Sequence, residues 1–147
     1  MGWLASLLLV LPAVLAGCGT GNQGKIAGRW NQEAEAFVSE LKGDVEFSRG
    51  GSEWAAAVPG LPVRPGTTIR SGPDSKVELV FGNGAGSVQI KPRSTITLER
   101  YDVAHQDGRR YGTAELFLLE GDVADSSRAS QNLVIMLKTP GGARRLR

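Results

Sequence analysis

The sequence predicts an all-β fold, a single small domain of mostly antiparallel short strands in a sandwich or β-roll, and three observations carry that expectation. Glycine is abundant at 20 residues, with 7 prolines and only 6% aromatic residues, a composition that favours short elements broken by tight turns. Apolar and polar residues alternate with period two in segment after segment from Gly43 onward. Turn signals divide those segments at roughly 8 to 12 residues, the strand spacing of sandwiches and rolls.

The chain opens on a different kind of element. Leu4 to Leu15 is an uncharged apolar run of secretory length, too short to span a bilayer of roughly 30 Å as a permanent helix. It leads into Leu15-Ala16-Gly17-Cys18, which resembles the bacterial lipobox: an aliphatic residue, two small residues for signal-peptidase recognition, then a cysteine whose thiol takes a diacylglyceryl group. Residues 1–17 are therefore expected to be a lipoprotein signal peptide, with Cys18 the lipid-bearing first residue of the mature chain. Cys18 is the only cysteine, so no intrachain disulfide can form. Two or three acyl chains would anchor the protein stably where one gives only marginal attachment. Met1-Gly2-Trp3 lacks the basic residue usual in this region, which indicates an atypical signal or a start placed too far downstream. An ordinary secretory signal, or myristoylation at Gly2 with Ser6 in the motif, would explain less of the pattern. Gly19 after the cysteine, rather than Asp, resembles lipoproteins passed to the outer membrane in diderm bacteria.

Residues 18–33 are read as the lipidated terminus and a linker, with Gly19 to Gly24 small and polar enough to act as a tether, and residues 34–147 as the folded domain. Ala34, Phe37, Val38 and Leu41 fall at helical spacing with Asn31 available as a cap, so this stretch reads either as a short helix or as a first strand running into Gly43. Beyond it Val45 and Phe47 alternate with polar neighbours before Gly50-Gly51. Val77, Leu79 and Phe81 do so before Gly82-Asn-Gly84. Val88 and Ile90 stop at Pro92, Ile96 with Leu98 and Leu116 with Leu118 follow, and Leu133, Ile135 and Leu137 end at Pro140-Gly141. Leu41-Lys-Gly-Asp-Val45 and Leu119-Glu-Gly-Asp-Val123 share one pattern, either coincidence or a pair of glycine bends that re-aim two strands.

Gly43-Asp-Val-Glu-Phe, Trp54, Gly60-Leu, Gly66-Thr-Thr-Ile-Arg-Ser-Gly72, Asp74-Ser-Lys-Val-Glu-Leu-Val-Phe81, Gly84, Ile90-Lys-Pro-Arg-Ser94 and Leu119-Glu-Gly121 together resemble the FecR-like domain in order and spacing, over about residues 36 to 142. In that family a strand precedes the Gly-x-Val motif, which favours the strand for the segment ending at Leu41. The founding members are inner-membrane regulators with a cytoplasmic part that acts on a sigma factor, one transmembrane helix and this domain in the periplasm. Here a lipoprotein signal stands in place of the first two, so the resemblance implies only envelope sensing or interaction. The family pattern continues past a Thr-Pro segment, here Thr139-Pro-Gly-Gly142, into a further strand. This chain stops at Arg144-Arg-Leu-Arg147, where that strand should begin, so a C-terminally truncated domain with an unpaired edge is expected.

The remaining chemistry is sparse. A formal charge of +2, from 17 basic and 15 acidic residues, gives no general reason to expect nucleic acid. His105 is the only histidine and lies in a polar stretch, Asp102 to Arg110, that reads as a long hairpin loop. One histidine and one lipidated cysteine are too few ligands for a metal site, and no pattern sets a nucleophile beside His105. No enzyme, no metal, no cofactor beyond the covalent lipid on Cys18, and no small-molecule substrate are therefore expected. Gly82-Asn-Gly-Ala-Gly86 opens a strand rather than a helix, so it reads as a hairpin turn and not a phosphate loop. Trp54 is expected to bury its ring in the core or against a turn. The candidate interaction surface is Trp30 near the tether together with Arg144, Arg145 and Arg147, three cations that read first as a solvated tail and second as a site for anionic lipid or polymer. The functional expectation is a non-catalytic, lipid-anchored envelope protein, on the periplasmic face of the outer membrane in a diderm cell, that binds another envelope protein in sensing or scaffolding. The alternative is a structural protein that binds cell-wall polymer or carbohydrate.

Overall fold

The computed structural model describes residues 35–51, 53–82, 85–125 and 132–146. The expected signal peptide and linker, with Leu15, Ala16, Gly17, Cys18 and Trp30, lie outside those residues, as does Arg147. Twelve strands make up the described chain: β1 (Ala36–Lys42), β2 (Val45–Arg49), β3 (Ala55–Ala56), β4 (Pro62–Val63), β5 (Thr67–Ser71), β6 (Lys76–Phe81), β7 (Gly86–Ile90), β8 (Thr95–Gln106), β9 (Arg109–Glu120), β10 (Val123–Asp125), β11 (Leu133–Thr139) and β12 (Gly142–Leu146). They form two sheets, one in the order β10-β7-β6-β1-β4 and the other β12-β11-β9-β8-β5-β2-β3. Every pairing is antiparallel except that of β9 with β11. The protein is all-β, as its alternation and turn spacing predict.

The inward residues of both sheets make one core. Val38, Val77, Leu79, Phe81, Val88 and Ile90 come from the five-stranded sheet, and Ile69, Ile96, Leu98, Leu116, Ile135 and Leu137 from the seven-stranded one. At 25 cal/mol per Å² of apolar surface removed from water, each such side chain contributes about 1.5–3 kcal/mol. Phe81 meets Tyr101 edge to face, with centroids 5.3 Å apart.

The ambiguous first segment is a strand. Pairing of β1 with β6 shifts register between Val38 and Glu40, so that Val38 lies opposite Leu79 and Leu41 opposite Val77. Ser39 is the extra residue of a β-bulge. The bulge returns Leu41 to the face of Val38, and so accommodates in a strand the three-residue spacing that imitates a helix.

The chain crosses between the sheets four times at one end of the molecule, after β1, β5, β7 and β9. The repeated Leu-x-Gly-Asp-Val pattern occupies two of these crossings. Gly43 (φ +77°) turns the chain out of the five-stranded sheet and Gly121 (φ +89°) turns it back. Both glycines adopt the left-handed conformation that side chains disfavour, and both are hemmed in by a neighbouring crossing. A Cβ at Gly121 would lie 2.5 Å from Ser94 Cα and 2.6 Å from the Arg93 carbonyl oxygen.

Two expectations fail on the hairpin and the C-terminal residues. Asp102 to Arg110 is not a long loop: β8 and β9 stay in register to Gln106↔Arg109, closed by a two-residue turn at Asp107 (φ +51°) and Gly108 (φ +71°). Two successive positive φ values are what a type I′ turn needs, and Asp-Gly supplies them cheaply. Nor is the basic terminus a tail. Arg144 and Arg145 belong to β12, which folds back on β11 through Pro140-Gly141 and sets Leu146 beside Ile135. Residues read as the stopping point of the chain, where a further strand should begin, therefore form a strand themselves.

Candidate interaction surface

The crossing end holds the buried hydroxyls of Ser71, Ser75 and Ser94, and their geometry shows what they do. Ser71 Oγ donates to the Lys91 carbonyl (2.7 Å) and accepts from the Ser94 amide (3.0 Å). Ser94 Oγ lies 3.0 Å from the Asp122 carbonyl and accepts from the Asp122 amide at 2.9 Å. Ser75 Oγ donates to the Gly72 carbonyl at 2.6 Å. These hydroxyls replace the ladder partners that strands lose on leaving a sheet. Each is bonded to backbone of a neighbouring segment, so the cluster ties the crossings together. No buried side-chain polar atom among the described residues lacks a partner.

Charge at the rim of this end centres on Asp122, held by Lys91 Nζ at 2.5 Å and approached by Arg144 at 3.8 Å. The hydrogen bond from Lys91, with help from the Val123 amide and the two cations, outweighs the cost of desolvation and keeps the Asp122 carboxyl below its ordinary range. On the outer face of the seven-stranded sheet, Lys138 bridges Glu99 (3.0 Å) and Glu115 (2.6 Å). The hydrogen bond from Lys138 lowers the Glu115 pKa, and the same contact raises that of Lys138. Exposed pairs of this kind contribute little to stability. They mark the face as solvated.

Trp54 is not in the core. It is 40% exposed beside the two-residue strand β3, with the Arg70 guanidinium 4.1 Å from its ring centre and Arg70 itself bonded to Glu46 at 2.5 and 3.1 Å. The ring is excluded because β3 is the outermost strand, so Trp54 can cover only the outside of the sheet. A cation over an indole face is worth about 0.5–1 kcal/mol at such a site. Across the molecule, a shallow groove of about 270 Å³ on the five-stranded sheet is lined by Glu40, Leu41, Lys42, Lys76, Glu78 and Gln89. Its charges are mixed in sign and converge on no single point. His105 sits near the exposed tip of the β8–β9 hairpin, and no group of three or more metal-ligating side chains occurs among the described residues.

Arg144 and Arg145, expected to act as one patch, are neighbours on a strand and so face opposite ways. Arg144 reaches toward Asp122, while Arg145 lies in register with Met136, whose side chain points away from the core. What they share is a backbone. β12 is the last strand of its sheet, and beyond it no further strand is present among the described residues. Sequence reasoning missed β12 because Ala143-Arg-Arg-Leu146 does not alternate. The available signal was the two-residue Pro140-Gly141 connection after a well-defined strand.

No protein-family model, curated protein or solved structure matches the chain.

Proposed function

We propose that this is a non-catalytic envelope lipoprotein, anchored through lipid on Cys18, whose FecR-like domain is a binding module for another envelope protein in sensing or scaffolding. The observation that carries the reading is the free flank of β12, a five-residue strand at the margin of a sheet with nothing paired beyond it among the described residues. Such an edge presents backbone donors and acceptors on a rigid support, a recurring way for a sheet to take up a protein segment. The lipobox-like Leu15-Ala16-Gly17-Cys18 supports an envelope location, and Gly19 rather than Asp after the cysteine favours the periplasmic face of the outer membrane in a diderm cell.

Two measurements test this. Metabolic labelling with palmitate should mark the native chain and not a Cys18→Ser chain. Crosslinking in intact envelopes should then recover one defined protein. Equal labelling removes the anchor, and cosedimentation with purified wall polymer in place of a protein partner moves the reading to its alternative. That alternative, a structural protein binding wall polymer or carbohydrate, draws on one observation, the exposed Trp54 ring beside Arg70 and Glu46, since an aromatic next to charged hydrogen-bonding groups suits a sugar.

A further inference from the structure

Four strands end the two sheets, and they differ in how they are protected. β3 and β4 have two residues each and β10 has three, too short to template another chain. β12 has five and carries no proline or bulge, so length does not protect it. Among the described residues, its two arginines are what guards it. In a centred antiparallel pairing with a second copy, Arg144 would lie directly opposite Arg144, a like-charge cross-strand pair that opposes association. The same two charges invite an acidic strand.

We propose that the β12 edge binds an extended segment of a partner protein bearing two consecutive acidic residues. This rests on the interaction-module reading and specifies its partner. Consecutive residues of an added strand point to opposite faces of the sheet, as Arg144 and Arg145 do, so an acidic pair meets one guanidinium on each face. Arg144 is available: its side chain is 58% exposed, and its 3.8 Å approach to Asp122 is longer than the 2.5 Å bond that Lys91 already makes there. Arg145 is exposed and neighbours Met136, whose half-buried side chain gives an incoming residue apolar surface as well. Alternate β12 residues turn their N–H and C=O away from β11, and these supply the pairing bonds. The outer part of β8 is a weaker candidate, because Arg100 and Asp102 neutralise each other there and state no charge preference.

The test uses the full-length chain in detergent and short Val/Thr-rich peptides with a central Glu-Glu, Gln-Gln or Lys-Lys pair. The Glu-Glu peptide should bind about tenfold tighter than the Gln-Gln peptide, weaken at high salt, and slow amide exchange at residues 142–146. An Arg144→Glu/Arg145→Glu chain should exchange that preference for the Lys-Lys peptide. If this reversal impairs folding, Arg144→Gln/Arg145→Gln should abolish the discrimination while far-ultraviolet circular dichroism stays unchanged. Equal binding of all three peptides, protection elsewhere, or a dimer in sedimentation that dissolves on charge reversal would each overturn the proposal. Failure with every peptide while envelope crosslinking still recovers a partner overturns acidic docking at β12 and leaves the module reading standing.

Discussion

Replacing Gly121 with alanine should cost about 2–5 kcal/mol, a large share of the roughly 5–15 kcal/mol of a typical domain. Two effects combine. At φ +89° a side chain meets its own carbonyl, a penalty of about 1–2 kcal/mol. The new methyl would also lie 2.2 Å from Ser94 Oγ, 2.5 Å from Ser94 Cα and 2.6 Å from the Arg93 carbonyl oxygen. Two of those atoms are backbone inside a crossing fastened by Ser71 and Asp122, so they cannot swing aside, and overpacking costs about 1–3 kcal/mol. Gly108→Ala is the matched control: φ is +71°, but nothing lies within 4 Å of the added carbon, so only the conformational penalty of about 1–2 kcal/mol applies. Urea unfolding followed by circular dichroism reads both. With m of about 1–3 kcal/mol/M, the Gly121 variant should lose at least about 0.7 M in midpoint, and more than the Gly108 variant. Midpoints that fall equally for the two variants would refute the claim that close approach between crossings, rather than backbone conformation alone, demands glycine at 121.

Ser94→Ala removes the hydroxyl bonded to both the Asp122 amide and carbonyl, and should lower stability by about 1–3 kcal/mol in the same assay, whereas Ser94→Thr should retain part of it. Leu116→Ala, at a fully buried site in the middle of the seven-stranded sheet, should cost about 2–5 kcal/mol with an unchanged m-value. Burial raises the Tyr101 pKa, opposed by the charge of Arg110, so the phenol is kept neutral in the folded state. The stability from this shift is complete below the ordinary tyrosine value of about 10 and is lost as pH rises through the higher folded value. Tyr101→Phe should therefore flatten the alkaline limb of the midpoint-versus-pH curve. Arg70→Ala should cost no more than about 1 kcal/mol and shift the Trp54 contribution to fluorescence, as expected of a cation resting on an exposed ring.

The parts of the fold legible in the sequence were those with one face in the core. Val77-Glu-Leu-Val-Phe81 and Ile96-Thr-Leu98 alternate because every second residue is buried, and their turns carry glycine or proline. β5 was hidden as a strand because only Ile69 of its three inward residues is apolar. Thr67 and Ser71 are buried too, and Ser71 serves the crossing network rather than the core. The length of the hairpin was hidden for a related reason: most residues from Ala104 to Tyr111 are exposed, so there was no apolar face to produce a period. There the Asp107-Gly108 turn was the whole signal. Trp54 misled because a large ring argues for burial, whereas its place outside the last strand of a sheet depends on the order of strands. An unpaired edge near the C-terminal residues was expected, but its arginines were hidden as part of it, since neighbouring arginines are read as a cluster until a strand sends them to opposite faces.

The position of β1 also determines how the domain would bear a load. The described chain begins at Glu35 and enters directly into β1, which lies between β6 and β4 inside its sheet, whereas β12 closes the far margin of the other. A pull arriving from the N-terminal side along β1 acts on a strand held on both flanks and strains several of its backbone bonds at once. A partner seated on β12 could instead be peeled away one bond at a time. Under tension, the attachment at the margin would yield before the sheet through which the tension enters.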